Sequence, residues 1–332
     1  MSETASNPNA EMRKDGSFQR QANRFTTPFG EGPGELPVQA GKYRLIWCAA
    51  CPWAHRAAIV RRLLGLEDAI GLGTVSPMRP RIGRVDWEFA LDPDGVDPVL
   101  GVRYMSELYA NADPDYAGRP TVPAMVDVNT RSVANNDYFT LTIALETAWA
   151  PYHGENAPDL YPEHLRDEID MLSDVIFHEV NNGVYKCGFA QSQEAYENAY
   201  DTLFERLDAL ERRLSEKRFL HGEYITDSDV RLYTTLARFD AAYYNGFRTN
   251  RNLIREMPNL WGYVRDLYQT PGFGDTTDFD AIKRHYHLSI TIHLDRPEVA
   301  ILPKGPDLSG WEAPHGRERL SKRTDKFLRF DR

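Results

Sequence analysis

Cys51 is the residue of this sequence that is best placed for chemistry. It follows an apolar run at 43–48 that predicts a buried strand, and it precedes Pro52, which favours the first turn of a helix. Backbone N–H groups and the helix dipole stabilise a thiolate at such a position, and a cation at His55 or Arg56 one turn later would add to this. Most free cysteines are small buried hydrophobes. Because the order strand, Cys-Pro, helix is typical of redox thiols, we predict that Cys51 is a reactive nucleophile.

The other cysteines carry weaker signals. Cys48 and Cys51 form a Cys-x-x-Cys, but in thioredoxin-like pairs the first cysteine is the nucleophile and the second lies inside the helix. Here the second cysteine starts the helix and Ala54 lies three residues beyond it, which favours a single nucleophilic thiol. A zinc site at Cys48, Cys51 and His55 lacks a nearby fourth ligand, so we predict no metal. Cys187 has no local activating residues.

Composition excludes several classes of function. The chain has 332 residues, which at about 150 residues per domain suggests two domains. A formal net charge of −10 disfavours nucleic acid as a partner. We expect no membrane helix, since no apolar run approaches about 20 residues, and no signal peptide, since the first 20 residues lack an apolar region. Three cysteines make no disulfide framework and favour a cytoplasmic location.

Four segments are predicted along the chain. Residues 1–40 are rich in Gly, Pro, Asn and charge and predict an extended or poorly ordered arm. Residues 41–150 have the order strand, helix, long loop-like excursion (74–118), hairpin and helix, which predicts a compact α/β domain. Residues 151–295 carry helical periodicity and predict an all-α domain, and 296–332 form a proline-punctuated tail.

Two local features stand out within these segments. A strand is predicted at 121–127, and Pro123 near its start indicates an edge position or a cis peptide bond after Val122. Thr226 and Asp229 have the spacing of a capping box at a helix N-terminus. The predicted helices of the second domain cover residues 165–180, 193–217, 227–245 and 259–268.

Many separated blocks of the sequence resemble one family, the glutathionyl-hydroquinone reductases, which are the Xi class of glutathione transferases. The likeness covers about residues 41–305 in the family's order. The blocks that carry it are 50–56 (ACPWAHR), 86–89 (DWEF), 107–109 (ELY), 113–119 (DPDYAGR), 121–123 (TVP), 181–190 (NNGVYKCGFA), 229–236 (DVRLYTTL), 258–261 (PNLW) and 282–286 (IKRHY).

The resemblance implies a fold and a reaction. It implies a thioredoxin-like α/β N-terminal domain, an all-α C-terminal domain (the glutathione transferase architecture) and a homodimer. The implied substrate is a glutathionyl-hydroquinone, which with a second glutathione gives free hydroquinone and glutathione disulfide.

Roles for individual residues also follow from the resemblance. Cys51 is implied to attack the sulfur of the conjugate and become a mixed disulfide, and Tyr185 to protonate the departing ring. A tyrosine suits this role, since its ordinary pKa near 10 keeps it protonated at neutral pH. The implied glutathione contacts are Trp87, Arg119 and, through its backbone, Val122, and the implied aromatic substrate pocket is lined by Tyr243 and Tyr286.

One departure from the family pattern bears on the cofactor. The family has Asn-Glu-Ser where this chain has Asn136, Asp137 and Tyr138, so Asp137 and Tyr138 take the place of the acid and hydroxyl that hold the γ-glutamyl group. A matched donor lost from a buried polar site costs about 1–3 kcal/mol. Either glutathione binds differently, or the thiol lacks a γ-glutamyl group, as mycothiol does, and the Tyr138 ring covers its sugar. Cys48 and the segment 243–247 are smaller departures.

Three hypotheses follow. The first is a thiol-dependent reductase that removes glutathione from a hydroquinone conjugate through Cys51. The second keeps this chemistry and replaces glutathione by a thiol such as mycothiol. The third is a non-catalytic binding protein on a transferase scaffold, which would have no need of an acidic thiol. A conventional conjugating transferase is less favoured, because those enzymes activate the thiol with a serine or tyrosine.

Overall fold

A computed structural model of the chain describes residues 11–80, 85–289 and 300–330, in two compact units. The described part of the first unit comprises Glu11 and residues 20–80, 85–155, 280–289 and 300–301, and that of the second comprises 12–19, 156–279 and 302–330. The predicted domain limits near residues 40, 150 and 295 remain predictions. Residues 1–10 of the predicted arm, and 296–299 and 331–332 of the predicted tail, lie outside the described residues.

A four-stranded mixed sheet forms the centre of the first unit. Its strands are β1 (Tyr43–Trp47), β2 (Gly71–Thr74), β3 (Ala124–Asp127) and β4 (Ser132–Asn135), in the order β2-β1-β3-β4. β1 runs parallel to β2 and antiparallel to β3, and β3 is antiparallel to β4. The strands predicted at 43–48 and 121–127 are therefore confirmed, although the second begins after the cis Val122–Pro123 bond and is central.

Strand β2 was not predicted, because its sequence Gly-Leu-Gly-Thr carries no apolar run. Gly73 has a packing reason that only the tertiary structure reveals. A Cβ added at Gly73 would lie 2.6 Å from the side chain of Ile46 on β1 and 3.0 Å from that of Asp97. The tertiary contact thus requires the residue type that weakens the local strand signal.

Helices α1 (Pro52–Leu63), α2 (Met105–Ala112) and α3 (Leu141–Glu146) also belong to the first unit. α1 packs against β1 and α3. It begins with Pro52 in its first turn and carries Arg61 and Arg62 in its last turn, where cations complement the helix dipole.

The described part of the predicted N-terminal arm contains no helix or strand between residues 20 and 36, yet it is tied to the first unit. Phe25 N–H donates to Asn136 Oδ1 at 2.9 Å, and Asn135 Nδ2 donates to the carbonyl of Thr27 at 2.9 Å. The Phe29 ring packs edge-on against Tyr43, with 5.3 Å between the ring centroids. These contacts hold the segment close to β1 and β4.

The second unit is helical. Its helices are α4 (Arg166–Ile176), α5 (Gly183–Phe189), α6 (Gln193–Glu216), α7 (Asp227–Arg238), α8 (Tyr244–Gly246) and α9 (Pro258–Tyr268), and α10 (Phe279–Arg284) leads back into the first unit. π-helical turns at Phe177–Asn181 and Phe239–Tyr243 continue α4 and α7 over the lengths that periodicity predicted. Helix α5, with two glycines in seven residues, was not predicted.

Among the described residues, no helix combines the length and the apolar character needed to cross a membrane.

The predicted capping box at the start of α7 is confirmed. Asp229 Oδ2 accepts hydrogen bonds from the N–H of Thr226 at 2.8 Å and from its hydroxyl at 2.9 Å. Oδ1 accepts from the N–H of Leu220 at 3.0 Å and from the Tyr263 hydroxyl at 2.8 Å. Burial raises the pKa of Asp229, while the N–H groups of Leu220 and Thr226 and the Tyr263 hydroxyl act in the opposite direction. One buried carboxylate therefore joins the start of α7 to α9 and to the chain before it.

We expect Asp229→Ala to lower the free energy of unfolding by about 3 kcal/mol or more, because several buried donors lose their acceptor together. The control is Asp280→Ala, which removes an exposed Asp280–Arg284 pair within α10 and should cost no more than about 0.5 kcal/mol. Urea unfolding of both variants measures the difference. Equal losses would contradict the role given to Asp229.

Candidate active site

Cys51 lies between β1 and α1, at the position that the sequence predicted. It is the N-cap residue of α1, its N–H donates to the Cys48 carbonyl at 2.9 Å, and 7% of its surface is exposed. The Sγ atom lies 3.4 Å from the carbonyl oxygen of Val122, the residue before the cis peptide bond to Pro123. The thiol therefore sits at a helix N-terminus, opposite the backbone carbonyl that precedes the cis proline.

A buried tyrosine holds that backbone edge in place. The Tyr109 hydroxyl donates to the Thr121 carbonyl at 2.9 Å and accepts from the Thr121 N–H at 3.2 Å. Asn136 Nδ2 donates to the same hydroxyl at 3.1 Å. Burial raises the pKa of Tyr109 to about 12, so its hydroxyl stays protonated. Helix α2 and the end of β4 thus both position the residue that precedes Val122.

Trp53, two residues after the thiol, packs against two guanidinium groups and a second aromatic ring. The guanidinium carbons of Arg20 and Arg56 lie 4.6 and 4.7 Å from the centre of the Trp53 ring. The Tyr138 ring lies 4.9 Å from the same ring, tilted by 47°. Burial raises the pKa of Tyr138, while the two arginines oppose this. An aromatic and cationic surface therefore adjoins Tyr138, and the sequence did not predict Arg20 as part of it.

Asp137 is already occupied by local hydrogen bonds. Oδ1 accepts from Asn23 Nδ2 at 2.9 Å and from the N–H of Phe139 at 3.1 Å. Oδ2 accepts from the Thr140 hydroxyl at 2.8 Å. The carboxylate thus stabilises the turn before α3 and the segment around Asn23.

Trp87 and Arg119, both implied to contact glutathione, have different surroundings. Trp87 is buried and stacks on His285, with 5.2 Å between the ring centroids, and the guanidinium of Arg79 lies 4.8 Å from the same ring. Arg119 Nη2 pairs with Glu11 at 3.1 Å. Sequence reasoning missed Arg79 and Glu11, because a loop arginine and an arm glutamate carry no local signal.

Tyr185 belongs to an aromatic cluster in the second unit. Its ring lies 5.2 Å from Phe247, 5.8 Å from Phe189 and 5.9 Å from Tyr243. A Cβ added at Gly188 would come within 2.4 Å of the Phe247 ring, so this packing requires glycine one turn from Tyr185. The structure thus brings together two of the predicted residues, Tyr185 and Tyr243.

Tyr286 and Cys187 each have buried surroundings within their own unit. Tyr286 is buried in the first unit, with its ring edge-on to His285 at 5.1 Å. Cys187 lies in α5, and burial raises its pKa to about 12, so its thiol is protonated at neutral pH. Across residues 11–80, 85–289 and 300–330, no three His, Cys, Asp or Glu side chains come together as metal ligands.

The comparisons with known proteins are consistent along the chain. The family model described as "Glutathione S-transferase, N-terminal domain" matches residues 50–148, and "Glutathione S-transferase, C-terminal domain" matches residues 193–266. The glutathionyl-hydroquinone reductase YqjG of Escherichia coli is 38% identical over 314 residues, which cover 91% of this chain and 93% of that protein. The chain belongs to the glutathionyl-hydroquinone reductase family of Xi-class glutathione transferases.

Solved structures of this family agree with the fold. The glutathione-bound structure of Escherichia coli YqjG has a TM-score of 0.81 at 37% identity. The match covers 89% of this chain and 96% of that chain. A glutathione transferase from Gordonia bronchialis has a TM-score of 0.82 at 54% identity, covering 86% of this chain and 88% of that chain. The predicted glutathione transferase architecture is confirmed, and the chain is an enzyme of this family's type.

Iodoacetamide at pH 8 is expected to modify one cysteine of the native protein, Cys51. Cys48 and Cys187 are fully buried, and the raised pKa of Cys187 leaves almost no thiolate at that pH. Mass spectrometry of the digested protein assigns the site, and denaturant should expose all three thiols as the control. Modification of Cys187 before Cys51 would contradict this expectation.

Proposed function

We propose that this enzyme removes the glutathionyl group from glutathionyl-hydroquinones, with Cys51 as nucleophile and a second glutathione as reductant. The observation that carries the proposal is the place of Cys51, whose sulfur lies at the N-terminus of α1 and 3.4 Å from the Val122 carbonyl. Membership of the family, and the name of its relative YqjG, support the substrate class.

The first half-reaction forms a mixed disulfide. The Cys51 thiolate attacks the sulfur of the conjugate, a sulfur–sulfur bond forms, and the bond between that sulfur and the aromatic carbon breaks. The electron pair of the broken bond goes to the ring carbon, which takes a proton and leaves as free hydroquinone. Cys51 is oxidised to the mixed disulfide while the ring is reduced.

The second half-reaction restores the thiol. A second glutathione, as thiolate, attacks the glutathionyl sulfur of the mixed disulfide. Glutathione disulfide forms and Cys51 leaves as thiolate, which the α1 N-terminus stabilises. Across both steps, one conjugate and one glutathione give one hydroquinone and one disulfide, so atoms and electrons balance.

The proposed source of the ring proton is Tyr185. Its side chain is buried among the rings of Phe189, Tyr243 and Phe247. Rings of this kind suit an aromatic substrate, because aromatic rings pack favourably face to edge or offset against one another. A protonated phenol positioned on such a wall is a suitable general acid.

Cys51→Ala is expected to abolish turnover of a glutathionyl-hydroquinone, because no other described cysteine occupies a helix N-terminus. Incubation of the native protein with oxidised glutathione should add one glutathionyl mass, and the variant should gain none. Cys48→Ala serves as the matched control and should keep the adduct. Retained turnover in Cys51→Ala would overturn the mechanism.

Tyr185→Phe is expected to lower kcat by about 10²-fold or more, since a general acid typically contributes that much. The mixed disulfide with oxidised glutathione should still form, because that reaction protonates no ring carbon. Tyr244→Phe is the control, as Tyr244 lies in α8 and is given no role in the chemistry. Unchanged kcat in Tyr185→Phe would remove Tyr185 from the mechanism.

A second candidate function keeps this chemistry and uses mycothiol in place of glutathione. The observation that favours it concerns Asp137 and Tyr138, which replace the family's γ-glutamyl-binding pair. Three hydrogen bonds within the chain already occupy Asp137, and the Tyr138 ring packs on Trp53. A ring at this place suits a sugar face better than an ammonium and carboxylate pair. Oxidised mycothiol, in the same mass measurement, separates the candidates by which thiol forms the Cys51 adduct.

Assembly and location complete the proposal. We propose a homodimer on the basis of the family resemblance, which light scattering tests directly. The three cysteines are free, which supports a reducing, cytoplasmic environment. A non-catalytic role would predict an ordinary Cys51 pKa near 8.5 and no adduct with either thiol.

A further inference from the structure

Arg79 is held next to the thiol-binding residues by contacts from two sides. It lies in the loop after β2, where its N–H donates to the Ser289 hydroxyl at 2.9 Å. Two residues earlier, the Pro77 carbonyl oxygen lies 2.7 Å from His285 Nδ1. Its guanidinium carbon lies 4.8 Å from the centre of the Trp87 ring, on which His285 also stacks. The loop and its guanidinium are therefore positioned rather than free in solvent.

The guanidinium of Arg79 presents a paired donor edge without an acceptor. Nε and Nη2 are both buried, and neither has a hydrogen-bond partner among the described residues. These two nitrogens share the edge that matches the two oxygens of a carboxylate. The chain uses the same edge elsewhere, where Arg218 Nε and Nη2 donate to Asp266 at 2.8 and 3.2 Å. Buried donors of this kind are normally satisfied, so the Arg79 edge indicates a ligand.

The charges around Arg79 point to an anion. Burial and, to a smaller extent, the nearby Arg119 lower its pKa to about 9, while Asp86, Cys51 and Cys48 act in the opposite direction. At neutral pH the group therefore stays charged. Arg119 differs, since Glu11 already pairs with its guanidinium at 3.1 Å. Of these two arginines, Arg79 is the one with a buried edge left for a carboxylate.

We propose that the Nε and Nη2 edge of Arg79 binds a carboxylate of the peptide thiol that reacts at Cys51, and that in glutathione this is the glycyl carboxylate. The inference rests on the proposed function. The cysteinyl part of glutathione is assigned to the Val122 backbone, and its γ-glutamyl end to the neighbourhood of Asp137 and Tyr138. The glycyl carboxylate is the remaining anion. Mycothiol has no carboxylate, so Arg79 also selects between the two thiols.

The test is a calorimetric binding experiment that needs no turnover. S-methylglutathione and its glycyl ethyl ester, in which the carboxylate is blocked, are titrated into the wild-type protein and into Arg79→Gln. The wild type should bind the free acid at least about tenfold more tightly than the ester, as expected for a charge-assisted pair. Arg79→Gln should bind both compounds equally, at the level of the wild type with the ester.

Two further variants make the result specific. Arg79→Lys should recover part of the preference for the free acid, because a lysine keeps the charge without the paired donors. Arg24→Gln is the control, since Arg24 uses the same Nε and Nη2 edge toward Asp113 at the surface of the same unit. It should keep the full preference.

Equal binding of acid and ester by the wild type would overturn the proposal, with no variant needed. So would a preference that survives in Arg79→Gln, or failure of S-methylglutathione to bind at all. The proposed function fails on different readouts, namely the Cys51 adduct and turnover of the conjugate. A protein that forms the adduct and turns over the conjugate, yet binds the free acid and the glycyl ester equally, would therefore refute only the role of Arg79.

Discussion

The site in the first unit depends on one constraint, which is that the Cys51 sulfur must face the Val122 carbonyl. Cys51 follows β1 and Val122 precedes β3, so the two approach each other only because these strands pair antiparallel, with Ile46 opposite Ala124. The sulfur then belongs to the N-cap residue of α1, where the helix dipole stabilises negative charge. On the carbonyl side, the Tyr109 hydroxyl holds the backbone of Thr121, the residue before Val122, by two hydrogen bonds.

The charge near the thiol differs in sign from the charge of the whole chain. The formal net charge is −10, yet Arg79 interacts with Cys51, and Arg20 and Arg56 lie against the ring of Trp53, two residues after the thiol. Two acids of this unit are engaged by other groups, since Glu11 pairs with Arg119 and Asp137 stabilises the turn before α3. A site of this sign favours anionic thiols and thiolates, even in an acidic protein.

Aromatic packing, rather than charge, organises the predicted substrate residues of the second unit. Tyr185 is buried in a cluster that tolerates no side chain at Gly188, so its ring has little freedom to move. Cys187, two residues away, shows what the same burial does to a thiol without a helix N-terminus, because its pKa rises to about 12. The proposed nucleophile Cys51 and the protonated Cys187 thus differ in their surroundings, since Cys51 is the N-cap residue of α1 and Cys187 lies within α5.

The sequence alone determined the fold class, the place of Cys51, the cis bond at Pro123 as one of two alternatives, and the capping box of α7. Each of these depends on residues close together in the chain, where propensity and spacing act directly. Strand β2 could not be predicted, because Gly73 is required by its contact with Ile46, and the local sequence contains no sign of that contact. Only the tertiary structure shows three other features of the site. These are the packing of Arg79 on Trp87, the salt bridge of Arg119 with Glu11, and the hydrogen bonds that occupy the Asp137 carboxylate. Burial and hydrogen-bond satisfaction are properties of the folded neighbourhood, and segments distant in sequence supply that neighbourhood.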